Sequence, residues 1–112
     1  MYSIKENILF SDSIKLEFNF NIRSFIEYFD KVIVLLSIPF TKDDINNIYC
    51  IDKFGKVVWQ SENLNLIYPN LKNLPYEQMG IKDNILYASD FYSRNYLINV
   101  DTGKIEGCNI VK

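Results

Sequence analysis

The feature that most constrains the fold is a strand–turn–strand unit that occurs twice along the chain. In one copy a turn containing Asp52 and Gly55 separates two apolar runs, and in the other copy Asp101 and Gly103 do so. The runs are residues 48–51 and 57–59 in the first copy and residues 96–100 and 104–105 in the second. Short connections with Asp and Gly join antiparallel neighbours, so each copy predicts a β-hairpin.

Each hairpin is preceded at a similar distance by a further strand pattern, at residues 31–37 and 83–89. With opening strands at residues 22–28 and 76–81, the units span about 22–60 and 76–107. The pattern predicts two antiparallel four-stranded sheets of propeller-blade type. Because two blades cannot close a ring, we expect one all-β domain over residues 1–112, with the sheets packed as a sandwich or open barrel.

Local patterns support strands, with one alternative left open. Ile14, Leu16, Phe18 and Phe20 alternate with polar residues, as in a strand with one face on a core. The continuous apolar run at residues 32–37 is typical of a central strand covered on both faces. The segment from Ser24 to Leu36 also fits a helix, since its large apolar residues recur at helical spacing. The β-branched residues 32–34 favour the strand.

Composition fits one domain in a reducing compartment. The 112 residues are 48% hydrophobic, and at this length one core is sufficient. The first ten residues lack the cationic and long apolar stretches of an export signal, and no run reaches the roughly 20 apolar residues of a membrane helix. We therefore expect a cytoplasmic protein in which Cys50 and Cys108 remain reduced.

Several stretches of the sequence resemble parts of two known groups of proteins. Residues 48–59 and 97–104 resemble quinoprotein-type propeller repeats, although the second copy lacks the closing Trp. Residues 32–39, 52–59 and 75–81 resemble the corresponding motifs of a group of small bacterial proteins. The resemblance implies a blade-type scaffold and no cofactor, because too little of a ring is present to enclose one.

The residues that most enzymes need are missing. The sequence has no histidine, which removes the commonest general base and the commonest metal ligand. Two distant cysteines make no zinc site, and four glycines make no phosphate loop. The adjacent pair Asp43 and Asp44 lacks the alternate spacing of a calcium loop. We therefore predict no catalytic residue, metal or cofactor.

The remaining candidates are residues for binding a protein partner. Phe91 and Tyr92 lie where the repeat places a hairpin tip, and exposed aromatic residues at a tip are typical of contact surfaces. Asp43 and Asp44 occupy the matching tip of the first unit, so both tips are expected to be acidic. The predicted partner-binding residues are Asp43, Asp44, Tyr76, Glu77, Asp90, Phe91 and Tyr92.

Charge and size favour a particular kind of binding protein. A net charge of −2 gives no basic field for a nucleic acid and suits a basic protein partner. We predict an immunity protein that blocks a cognate bacterial toxin, such as a nuclease, by covering its basic active site. The alternative is a structural or interaction module that associates with itself, for example as a homodimer through an open sheet edge.

Overall fold

The chain forms an all-β fold. A computed structural model describes residues 1–39 and 45–110, the last two of these by their backbone only. The described residues contain eleven strands and one short helix. Their bounds are β1 Ser3–Lys5, β2 Ile8–Phe10, β3 Lys15–Glu17, β4 Ile22–Tyr28, β5 Lys31–Leu36, β6 Ile48–Ile51, β7 Val57–Gln60, α1 Leu64–Ile67, β8 Tyr76–Lys82, β9 Ile85–Asp90, β10 Arg94–Asn99 and β11 Ile105–Ile110.

Both predicted four-stranded sheets are confirmed. Strands β4 to β7 form one antiparallel sheet in chain order, here called the middle sheet. Strands β8 to β11 form the second antiparallel sheet in chain order, here called the C-terminal sheet. The turns at Asp52–Gly55 and Asp101–Gly103 each connect antiparallel neighbours, as the repeated pattern predicts.

An N-terminal sheet of three short strands, β1 to β3, was not predicted. The alternating segment from Ile14 to Phe20 keeps its predicted pattern of partly buried and exposed side chains. Only Lys15–Glu17 of that segment pairs with β2, however. Three-residue strands give too little alternation to be read from sequence, because a period of two needs at least four residues to be recognised.

The middle sheet is covered on both faces, which explains why residues 32–36 of β5 are all apolar. Val32, Val34 and Leu36 pack with Leu9 of the N-terminal sheet in one core cluster. Ile33 and Leu35 point the other way, into a second cluster. Successive side chains of a strand point to opposite faces, so a strand between two packed layers must be apolar at every position.

The middle and C-terminal sheets face each other across the second cluster. Ile33, Cys50 and Trp59 from the middle sheet share it with Tyr96 and Ile98 from the C-terminal sheet. The indole nitrogen of Trp59 donates a 2.9 Å hydrogen bond to the carbonyl of Val100. This is the sandwich arrangement of the two predicted alternatives, and none of the three described sheets closes into a barrel.

The segment from Ser24 to Leu36, for which a helix was the alternative, is confirmed as a hairpin. Ile26 of β4 lies opposite Ile33 of β5, and the two strands are joined by a turn at Phe29 and Asp30. Phe29 adopts a φ of 55°, the left-handed conformation that closes tight hairpins. Residues 61–74 form an irregular connection, apart from one helical turn whose N-cap is Asn63.

Cys50 and Cys108 are both free thiols. Cys50 is buried in the second cluster, and burial raises the pKa of its thiol from 9.0 to about 11. A thiolate at this position would be a negative charge buried in the apolar core, which is costly in free energy. The fold therefore favours the protonated thiol.

We expect a loss of stability at alkaline pH that depends on Cys50. Its folded pKa exceeds its unfolded value, so the contribution is complete below pH 9 and is lost as the pH rises towards 11. The expected loss in the free energy of unfolding is on the order of 2 kcal/mol. Urea titrations at about pH 8 and about pH 10.5 measure it, and Cys50→Ala is the control that should show a shallower decline. An identical decline in both proteins would contradict the assignment, since burial also raises the pKa of Tyr96 to about 12.

Candidate protein-binding surface

The turn between β9 and β10 is fixed by the side chain of Asp90. One carboxylate oxygen accepts hydrogen bonds from the backbone N–H groups of Tyr92 at 2.9 Å and Arg94 at 3.1 Å. The Asp90 carbonyl accepts a third from Ser93 at 3.0 Å. Ser93 has a φ of 62°, which lets the chain reverse within three residues. Aspartate is common in such turns because its short carboxylate reaches backbone groups two residues ahead.

The second carboxylate oxygen of Asp90 forms a buried ion pair with Arg94. The distance between that oxygen and the Arg94 Nε is 2.7 Å. Asp90 is 4% exposed and Arg94 8%. A terminal nitrogen of Arg94 also donates a 2.7 Å hydrogen bond to the carbonyl of Lys72. The pair therefore joins the β9–β10 turn to the connection that precedes β8.

Two large aromatic side chains project from this fixed turn. Phe91 is 57% exposed and Tyr92 is 56% exposed, and their ring centroids lie 6.2 Å apart. The guanidinium of Arg94 lies over the Tyr92 ring, 5.4 Å from its centroid. Rigid aromatic side chains lose little conformational freedom when a partner covers them, which is why they are enriched at protein interfaces.

Exposed aliphatic side chains also lie on the connection that precedes β8. Leu71 directly precedes Lys72, whose carbonyl is bonded to Arg94, and it is exposed. Leu66 and Ile67 of α1 are exposed as well. Asn73 holds this connection in shape by donating from its amide to the carbonyls of Leu64 and Tyr68. We call Leu71, Phe91 and Tyr92 the tip surface.

Two of the predicted contact residues lie inside the protein. Tyr76 has no exposed surface and its ring packs edge-on against Tyr96 in the core, so it is absent from the tip surface. Asp90 is equally enclosed, and Arg94 neutralises its charge. The acidic charge expected at this tip is therefore not presented to solvent. Both residues position the turn instead.

Glu77 lies at the surface and forms an ion pair with Arg23 of β4 at 3.1 Å. The contact links the middle sheet to the C-terminal sheet at their neighbouring edges. A paired carboxylate is less available to a basic partner than a free one. Glu77 as a contact residue stays a prediction.

Asp43 and Asp44 lie outside the described residues, but the chain that follows them is tied to the tip. Asn47 bonds to both backbone groups of Tyr76, donating to its carbonyl at 2.9 Å and accepting from its N–H at 2.9 Å. Tyr76 in turn lies opposite Asp90 in the sheet. Residues 45–47 therefore lie beside the end of β9 from which the tip surface projects.

The described part of the molecule offers little for other chemistry. No group of three or more acidic or cysteine residues within it could hold a metal ion. A groove of about 250 Å³ beside β3 and β7 is lined by apolar and aromatic side chains with one carboxylate, Glu17. Within residues 1–39 and 45–110, no helix has the length and apolar character needed to cross a membrane.

The three stacked sheets and the aromatic turn define an all-β protein with a projecting apolar tip. The chain belongs to the family DUF7957, a domain of unknown function, whose model matches residues 1–110.

Comparison with solved structures supports the fold alone. The chain is similar to a computationally designed protein, Ika8, with a TM-score of 0.62 and 8% sequence identity. The match covers 99% of this chain and 36% of the designed chain, so this chain spans about a third of that protein. A search of curated proteins found no significant match.

Proposed function

We propose that this chain is a non-enzymatic binding protein that neutralises a bacterial toxin, acting as an immunity protein. The observation that carries the proposal is the tip surface. Phe91 and Tyr92 stay exposed on a turn that a buried ion pair makes rigid. A rigid exposed aromatic pair is the usual anchor of a protein interface, and an ordinary solvent loop has no need of one.

The proposed partner is a basic enzyme, such as a nuclease. The chain carries a net charge of −2, and complementary charge speeds the encounter of two proteins and disfavours wrong partners. Because Asp90 is buried and paired, the acidic rim would have to come from other carboxylates. Asp43 and Asp44 stay the sequence-based candidates. The bacterial setting rests on the resemblance of residues 32–39, 52–59 and 75–81 to small bacterial proteins.

We expect the double substitution Phe91→Ala and Tyr92→Ala to weaken partner binding by about 100-fold, since each anchor of this kind contributes roughly tenfold or more. The test is capture of the tagged chain's partner from its native cells at low and high salt. It is followed by co-expression of the captured protein with each variant. The intact chain should retain one basic partner at one-to-one stoichiometry, release it at high salt and prevent its toxicity.

Phe54→Ala is the matched control, because Phe54 is also an exposed aromatic residue in a hairpin turn. Its turn follows Ile51, which lies opposite Val32 near the β4–β5 turn. Tyr28, beside the β4–β5 turn, donates a hydrogen bond to Asn84, which directly precedes β9. Phe91 and Tyr92 follow the other end of β9, so the control and the tip surface lie at opposite ends of that strand. Equal loss of protection in both variants, or full protection by the double variant, would overturn the proposal.

The second candidate is a module that associates with itself. Its motivating observation is the outer face of the C-terminal sheet, where large apolar side chains belong to neither core cluster. Recovery of only the tagged chain, as a dimer or larger species, would favour this function over toxin binding.

A further inference from the structure

The two outer faces of the stacked sheets differ in the charged and apolar residues that they carry. At one end, the outer face of the N-terminal sheet carries Lys5, Lys15 and Glu17 around its apolar residues. At the other end, the outer face of the C-terminal sheet has Tyr87 and Leu97 side by side at its centre. Lys82 is the charged residue in the rows that join β8, β9 and β10 on that face, and the edge strand β11 adds the exposed Glu106.

The apolar residues of this second face are not part of the protein's own core. Ile85, Tyr87 and Leu97 are half-buried by their strand neighbours and belong to neither core cluster. The opposite face of the same sheet is fully covered by the middle sheet. The C-terminal sheet therefore presents one covered face and one open face, and on the open face neutral polar residues such as Ser89 and Asn95 flank the central pair.

A recess lies directly beside the central tyrosine. Gly80 of β8 is the cross-strand neighbour of Tyr87 in β9. No atom lies within 4 Å of the position that a Cβ of Gly80 would occupy. The face thus places a large aromatic ring next to an empty position of the same row.

We propose that this open face is a dimer interface that binds a second copy of the same chain. A two-fold axis between β8 and β9 places each Tyr87 ring over the partner's Gly80, so that one pair of residues forms a self-complementary contact. A face with few charged residues lessens the like-charge repulsion that two identical copies otherwise suffer. The same scarcity of charge gives little attraction for a basic or acidic partner.

The size of the face predicts a weak dimer. Four strands about 4.8 Å apart and six residues rising about 3.3 Å each give a face of roughly 400 Å² per copy. Interfaces below about 1,200 Å² in total are typical of transient complexes. We expect dissociation in the micromolar range, without the salt dependence of a charged interface.

The test is sedimentation of the intact chain from about 1 µM to about 1 mM, at low and high salt. The expected result is a monomer–dimer equilibrium in both buffers. Tyr87→Lys should raise the dissociation constant by at least about 100-fold, because two lysines then meet near the axis. Gly80→Leu should do the same by filling the recess. Far-UV circular dichroism confirms that each variant is folded.

A mixture of two charge variants identifies the partner surface. Tyr87→Lys and Tyr87→Glu, each monomeric alone, should associate when mixed, because only a two-fold contact between copies brings residue 87 close to itself. Val58→Lys is the control, on the exposed edge strand β7 of the middle sheet, and it should leave the dimer unchanged.

A monomer at every concentration, or a dimer that Tyr87→Lys leaves intact, would overturn the inference. Failure of the toxin proposal is distinguishable, since Phe91→Ala and Tyr92→Ala should leave this dimer unaffected.

Discussion

Replacing Gly103 with alanine is expected to lower the free energy of unfolding by about 3 kcal/mol. Gly103 has a φ of 75°, where any residue with a Cβ is strained. The added Cβ would also lie 2.5 Å and 2.7 Å from two atoms of the Trp59 ring. The ring cannot move aside freely, because its nitrogen is bonded to the Val100 carbonyl inside the core.

Gly80→Ala is the matched control, because its Cβ would meet no atom within 4 Å. Its effect on a dilute sample should stay within about 0.5 kcal/mol. Urea unfolding measures both, with fluorescence of the single Trp59 as the probe. If the clash is the cause, adding Trp59→Leu should make Gly103→Ala cost less than it does alone, as seen by circular dichroism. A Gly103→Ala variant as stable as the control would show that the turn relaxes without strain.

The contact between Gly103 and Trp59 could not be predicted from the sequence, although the hairpin that contains Gly103 could. The Asp-Thr-Gly signal correctly predicts the hairpin at Gly103, because turn chemistry is set by the few residues that form the turn. That the same glycine lies under a tryptophan 44 residues earlier depends on how the two sheets stack. No local pattern contains that information.

Strands were predictable where burial forces a pattern. Residues 32–36 of β5 are all apolar because layers cover both faces of the strand, and any arrangement of the two layers would require the same pattern. The N-terminal sheet was missed because its strands have three residues each. Their pairing depends on Leu9 reaching the first core cluster, which is a tertiary contact.

The candidate site was predictable in part. The repeat places Phe91 and Tyr92 at a hairpin tip, and the structure places them in the turn between β9 and β10 with both side chains exposed. Tyr76 faces the core because β8 contains an irregularity between Tyr76 and Gln78. Strict alternation from the inward-facing Ile81 and Met79 puts Tyr76 outside, but one extra residue reverses the face of every position before it.

The exposed residues of the α1 region had no signal in the sequence. Leu66 and Leu71 lie in an Asn-rich stretch, which predicts an irregular connection and nothing about which side chains it exposes. The place of Leu71 near the β9–β10 turn follows from the hydrogen bond between Arg94 and the carbonyl of the next residue, Lys72. Exposure in an irregular segment is set by such single contacts, so it becomes visible only in the folded chain.

Replacing Arg94 with alanine is expected to cost about 3–5 kcal/mol of stability, since it leaves the Asp90 carboxylate buried without its partner. The substitution also removes the hydrogen bond that ties the turn to Lys72. Asp90→Ala should cost a similar amount, because it frees the N–H groups of Tyr92 and Arg94 along with the guanidinium. The double variant should cost clearly less than the sum of the two, as expected of residues that act as one unit.

Arg23→Ala is the matched control, because it removes a second arginine–carboxylate pair of similar length but in contact with solvent. The Arg23 side chain is 42% exposed and its partner Glu77 27% exposed. Exposed pairs contribute at most about 1 kcal/mol, so Arg23→Ala should have a small effect. Urea unfolding gives the stabilities, and hydrogen exchange at the amides of Tyr92 and Arg94 reports on the turn itself. Equal costs for Arg94→Ala and Arg23→Ala, with both amides still protected, would mean that the β9–β10 turn keeps its shape without the buried pair. The rigid presentation of Phe91 and Tyr92 would then need another cause.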